Sequence, residues 1–140
     1  MADQEKTSRH PLLVWGTTVA VIALLLVVLL VALLWPPTPE TVVSELLVAM
    51  HRNDSARALD LTTGTARVQL ERAIDGEPAG QWYQMWHEAD SLLLDFRITE
   101  AEIEGDEARV LVYFGQGLFR SQEFLLQRVE RTWRIYDLGN

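Results

Sequence analysis

The hydrophobic pattern divides the chain into one apolar segment without charge and a longer segment with periodic apolar positions. Residues 12–35 form an uninterrupted run of 24 residues that contains no charged side chain. A helix of this length would extend about 36 Å, which is enough to cross a hydrocarbon core of roughly 30 Å. Because a backbone in hydrocarbon must satisfy its own hydrogen bonds, the run predicts a membrane-spanning helix.

A cleaved signal peptide is the alternative interpretation of the same run. Its apolar stretch is longer than the core of a signal peptide, which is about 7–15 residues, and no small-x-small cleavage motif follows it. Trp15 and Trp35 lie near its two ends, where indole rings favour the membrane interface. We therefore favour an uncleaved anchor that contacts the lipid bilayer through residues 12–35.

The basic residues near the anchor predict its orientation. Lys6 and Arg9 precede it, and the next Lys or Arg after it is Arg52. The positive-inside rule then makes residues 1–11 a cytoplasmic tail and places the rest of the chain outside, with the anchor in the plasma or inner membrane.

Small residues mark one side of the predicted anchor. Gly16, Ala20 and Ala23 recur at the i, i+4 and i+7 spacing of one helix face. Small side chains let two membrane helices approach closely, so this face is a candidate for packing against another membrane protein or a second copy.

The segment after the anchor begins with helical periodicity. Residues 36–39 read Pro-Pro-Thr-Pro, a short stiff tether, and Thr38-Pro39-Glu40 combines a capping hydroxyl, a first-turn Pro and an acid. The apolar spacing that follows predicts a helix to about Arg52, a second from Asp54 or Ser55, and a third over 65–74.

From Leu92 onward the apolar positions alternate, which predicts strands. A change of parity near residues 99–100 indicates a β-bulge, and the pairs 105–106 and 130–131 are turns between neighbouring strands. The pattern predicts an α+β domain over residues 40–140, with about three helices packed on a curved, four-stranded antiparallel sheet.

Composition excludes several functions for this domain. Residues 36–140 contain 10 Arg, no Lys and 18 Asp plus Glu, so they carry the whole net charge of −8. An acidic domain is repelled by phosphate backbones, which argues against nucleic-acid binding. The chain has no Cys, its His residues lack metal-ligand spacing, and no motif implies a cofactor.

Three segments resemble those of nuclear transport factor 2-like domains. They are the first two helices around residues 50–59, the hairpin at 105–112, and the closing strand at 131–138. The resemblance covers about residues 38–138 and implies a cone formed by helices and a curved sheet around an internal pocket. Members include ketosteroid isomerase-like enzymes, ligand binders and membrane-anchored scaffold components of secretion systems.

Aromatic side chains are the candidates for lining such a pocket. A helix over 81–90 would put Trp82 and Trp86 on one face and His87 and Asp90 on another. The full set of ligand-pocket candidates is Trp82, Trp86, His87, Tyr113 and Trp133. For residues 81–90 we favour a core stripe with a solvated polar edge, and no catalytic residue is assigned.

Three functions remain open from the sequence. We favour a non-catalytic interaction or scaffold module within a membrane protein complex. The first alternative is a pocket that binds a small apolar ligand. The second is an enzyme in which His87 and either Asp90 or Asp95 form an acid–base couple.

Overall fold

The computed structural model describes residues 11–78, 80–92, 95–115 and 120–139, with the side chains of 11–15 and 91–92 left out. The chain divides into two compact units, residues 1–36 and residues 37–140. Lys6 and Arg9 in the predicted tail fall outside the described residues, and so does the side chain of Trp15.

The first unit contains a single long helix, α1 (Pro11–Leu34). It carries no charged residue, and each of its described side chains is exposed. Residues Gly16–Leu34 are long and apolar enough to cross a membrane.

Helices make up the first half of the second unit. Their bounds are α2 (Pro39–His51), α3 (Ser55–Asp60), α4 (Gly64–Ile74), α5 (Gly80–His87) and α6 (Ala89–Leu92). The first three match the predicted helices. Most of α5 and the start of α6 fall within residues 81–90, where the spacing of Trp82 and Trp86 is compatible with a helix.

The predicted caps hold the starts of α2 and α3. The Thr41 amide donates to Thr38 Oγ1 at 3.3 Å, and the Arg57 amide donates to Asp54 Oδ1 at 3.0 Å. Each bond satisfies an amide that has no partner within its own helix.

One antiparallel sheet makes up the second half of the unit. Its strands are β1 (Phe96–Ile98), β2 (Glu102–Glu104), β3 (Glu107–Phe114), β4 (Arg120–Val129) and β5 (Thr132–Leu138). β3 pairs with both β1 and β2 along one edge, and the order across the sheet is β1-β3-β4-β5. The α+β class and the antiparallel meander are therefore confirmed.

The predicted bulge separates β1 from β2. Ile98 pairs with Val112, and Glu102 pairs with Arg109. The chain therefore advances four residues along the edge, from 98 to 102, while β3 advances only three, from 109 to 112. The extra residue shifts the register by one, which explains the change of parity in the sequence. Ile103 faces the same side as the buried Ala108, yet it is 52% exposed because β2 lies beyond the core.

Two-residue turns fix the register on both sides of the sheet. Glu104 pairs with Glu107 around Gly105-Asp106, and Val129 pairs with Thr132 around Glu130-Arg131. Glu130 and Arg131 have φ of 49° and 69°, the left-handed geometry that suits such hairpins. The predicted turn at 115–117 and the strand start at Leu118 lie mostly outside the described residues.

The core lies between the helices and one face of the sheet. The alternate β3 residues Ala108, Val110, Val112 and Phe114 are buried, as their spacing predicted. Phe124 and Leu126 on β4 face the same core, against fully buried α2 residues that include Leu46 and Leu47.

A partly buried hydrogen bond connects the start of α2 to the edge of the sheet. The Ala101 amide in the bulge donates to Glu40 Oε1 at 2.7 Å. Burial by itself would raise the pKa of the Glu40 carboxyl. Hydrogen bonds from the amides of Ala101 and Glu40 and from the Thr38 hydroxyl outweigh burial, so its pKa lies below the ordinary 4.5.

Candidate functional site

The aromatic residues that the sequence singled out lie in separate parts of the domain. Trp82 on α5 is 1% exposed, Trp86 is 8% exposed, and Trp133 on β5 is 5% exposed. Tyr113 is half-buried on the sheet face that points away from the helices, and His87 is exposed. Trp82 and Trp86 line two different clefts.

The cleft beside Trp86 has a volume of about 480 Å³ and is open to solvent. The buried side chains of Met50, Trp86 and Ala89 lie at its base. His51 and His87 line it as well. Arg52, Asn53 and Asp90 add to a lining that is largely polar around this apolar base.

The polar groups of this cleft pair differently from the sequence hypothesis. Asp90 contacts His51 of α2, with Oδ1 and Nδ1 3.5 Å apart, and both side chains are well exposed. His87 Nε2 lies 3.2 Å from the Ala73 carbonyl oxygen, and its ring lies 4.3 Å from that of Tyr83. The sequence could not indicate His51, because 39 positions separate it from Asp90.

Two other aromatic side chains serve packing. Trp82 lies inside the core, and its indole Nε1 has no hydrogen-bond partner among the described residues. The Arg128 guanidinium lies over the Trp133 ring, 4.6 Å from its centroid, which is a cation–π contact.

The other sheet face is not covered by the helices, which pack on the opposite side; we call it the outer face. Its members on β3 and β4 are Glu107, Arg109, Leu111, Tyr113, Ser121, Glu123, Leu125 and Gln127. Tyr136 lies in the bulge of β5, and together with Leu125 it lines a cleft on the surface of the domain. Leu111, Tyr113, Leu125 and Tyr136 are all half-buried and lie outside the core cluster.

One row of paired residues across the outer face has acidic side chains at one end and a basic side chain at the other. Glu104 pairs with Glu107, Glu107 with Gln127, and Gln127 with Arg134, so the row runs from acid to base. Within the described part of the chain, none of these three charged residues has an ion-pair partner. Arg134 Nε is also buried without a hydrogen bond to any described residue.

Both edges of the sheet are protected against pairing with another strand. On β5, the Ile135 amide donates to the Leu61 carbonyl and its own carbonyl accepts from Thr63, at 3.0 and 2.8 Å. The opposite edge consists of two three-residue strands separated by the bulge. Short, bulged or capped edges disfavour strand addition, so the face is the larger accessible part of the sheet.

The small-residue face of α1 is open. Gly16, Ala20 and Ala23 are all exposed, and nothing lies within 4 Å of a Cβ placed on Gly16. A second helix could therefore approach here without a clash.

Within the described ranges, no group of three His, Asp or Glu side chains could hold a metal ion. The charged side chains in these ranges are exposed or half-buried. No protein-family model matches the chain, and no curated protein matches its sequence.

Proposed function

We propose that this chain is a single-pass membrane protein whose extracytoplasmic domain, residues 40–140, is a non-catalytic interaction or scaffold module within a membrane complex. The apolar α1 helix supports the anchor, and Lys6 and Arg9 before it support a cytoplasmic N-terminus. The order of helices followed by an antiparallel sheet is compatible with a nuclear transport factor 2-like domain.

The uncovered outer face is the observation that carries this proposal. It combines half-buried Leu and Tyr side chains with Arg and Glu, a mixture typical of protein interfaces. A sheet face with apolar side chains is stabilised when a second layer covers it. The helices described within residues 37–140 pack on the other face.

Copurification from the native membrane tests the proposal. Leu125→Arg places a charge in the middle of the outer face, whereas Val68→Arg places the same charge on α4, where Val68 is 50% exposed. We expect protein partners crosslinked to the wild type to be lost from Leu125→Arg and kept by Val68→Arg. Equal recovery with both variants would contradict the proposal.

A binder of a small apolar ligand is the second candidate function. The open cleft of about 480 Å³ with Trp86 and Met50 at its base favours it. A small-molecule mass that stays bound to the intact protein in native mass spectrometry, and is lost in Trp86→Ala, would support this function.

A further inference from the structure

We propose that the occupant of the outer face is a second copy of this chain, related by a two-fold axis that runs parallel to the strands. This inference rests on the proposed function, since it names the partner of the same surface. Two such faces would pack as the two sheets of a sandwich do, about 10 Å apart.

The charge order within one row carries the inference. A two-fold axis parallel to the strands, between β3 and β4, reverses the row from Glu104 to Arg134 on the second copy. Glu104 then lies opposite the second copy's Arg134, and Glu107 lies opposite Gln127. This row is thus complementary to itself, as a two-fold interface requires, whereas the neighbouring row places Glu102 opposite the second copy's Asp137.

The same contact brings together two charges that lack ion-pair partners within one chain. Within the described ranges, neither Glu104 nor Arg134 forms an ion pair. Arg134 is half-buried, with Nε enclosed by its own chain, so the outer part of its guanidinium is what a second copy could meet. A guanidinium that is partly removed from water gains most from a carboxylate partner, which the second copy supplies.

The net charge of −8 does not prevent such a contact. Arg97, Arg109 and Arg134 are distributed among the acids of the outer face, so this surface has both signs. Repulsion between more distant acids is screened beyond about 8 Å at physiological ionic strength.

The size of the face makes the dimer dependent on the membrane. Four strands spaced about 4.8 Å apart, with four outward residues each about 6.8 Å apart, give a patch of roughly 500 Å² per copy. Two patches reach only the lower limit of specific interfaces, about 1,000 Å². Anchoring both copies in one bilayer raises their effective concentration and favours the contact.

Cysteine crosslinking of the full chain in its membrane tests the inference, because the chain has no native Cys. Gln127→Cys lies beside the proposed axis, so two copies would bring their thiols within reach of a short bis-maleimide. The control Glu71→Cys is exposed on α4, on the helical side of the domain. We expect at least roughly tenfold more dimer from Gln127→Cys than from the control, about 1.4 kcal/mol.

Charge reversal tests the orientation. In the Gln127→Cys background, Glu104→Arg or Arg134→Glu alone would place like charges opposite each other twice, and we expect the crosslinked dimer to decrease severalfold. The double variant restores the opposite charges and should restore the crosslink. Arg72→Glu on α4 is the control that should change nothing.

Three results are distinguishable. Crosslinking no greater than that of Glu71→Cys would overturn the second copy as occupant. Loss in both single variants without recovery in the double variant would overturn the proposed axis. If a different protein is captured through the outer face and lost in Leu125→Arg, the proposed function stands and this inference fails.

Discussion

Adjacent residues of β4 should differ sharply in their effect on stability, because they lie on opposite faces of the sheet. Phe124 is 0% exposed, and its register partners Val110 and Leu138 also face the core. Truncating a buried Phe to Ala costs about 3–5 kcal/mol, a large part of the roughly 5–15 kcal/mol that stabilises a domain. Leu125 is half-buried and lies outside the core cluster, so Leu125→Ala should cost only about 1 kcal/mol.

Urea unfolding of the intact protein in mild detergent, followed by near-UV circular dichroism, measures the difference. With a slope of roughly 1–3 kcal/mol per molar urea, Phe124→Ala should lower the midpoint by about 1–5 M. At the same slope, Leu125→Ala should lower it by only about 0.3–1 M, roughly three to five times less. Equal losses would refute the assignment of faces, since a one-residue slip in register would exchange the two side chains.

Three further outcomes follow from local contacts. Glu40→Gln should lose roughly 1 kcal/mol at pH 7, because a carboxylate accepts the Ala101 amide more strongly than an amide oxygen does. Since the folded-state pKa of Glu40 is lowered, the wild-type advantage in unfolding experiments should be full above pH 4.5 and vanish as the pH falls through that lowered pKa. Asp54→Ala should cost about 1 kcal/mol in thermal unfolding, through loss of the α3 cap. Gly16→Leu should weaken self-association or partner assembly in crosslinking assays, whereas Ile22→Leu on another side of α1 should not.

Local signals in the sequence account for most of the fold. Thr38 and Asp54 marked helix starts because a side-chain oxygen satisfies the free amides of a first turn. Two-residue turns marked the hairpins, and the parity change near residue 99 marked the bulge. These are interactions between residues close in sequence, and therefore the pattern contains them.

Contacts between distant residues were not accessible in the same way. His51 meets Asp90 only because the end of α2 packs beside α6, and no sequence spacing encodes that. The row from Glu104 to Arg134 depends on the register between β3 and β4, which pairs residues far apart in the sequence. The two-residue turns at 105–106 and 130–131 by themselves would predict only the pairs at the two ends of the row, Glu104 with Glu107 and Gln127 with Arg134.

The aromatic candidates illustrate a limit of periodicity. Trp82 and Trp86 share a helix face, as the spacing predicted, and both are buried. Spacing cannot distinguish a face that packs into a core from a face that lines a cavity, because both need apolar side chains. The ligand-pocket assignment of Trp82, Trp86, His87, Tyr113 and Trp133 therefore stays a prediction.

Native mass spectrometry of the full-length protein, crosslinked in its own membrane and then released in mild detergent, tests the central claim most directly. We predict a mass that retains residues 12–35, together with a second copy or another protein that is absent in Leu125→Arg. A mass that begins after residue 35 would contradict the anchor. An intact monomer without any protein adduct would contradict the interaction module.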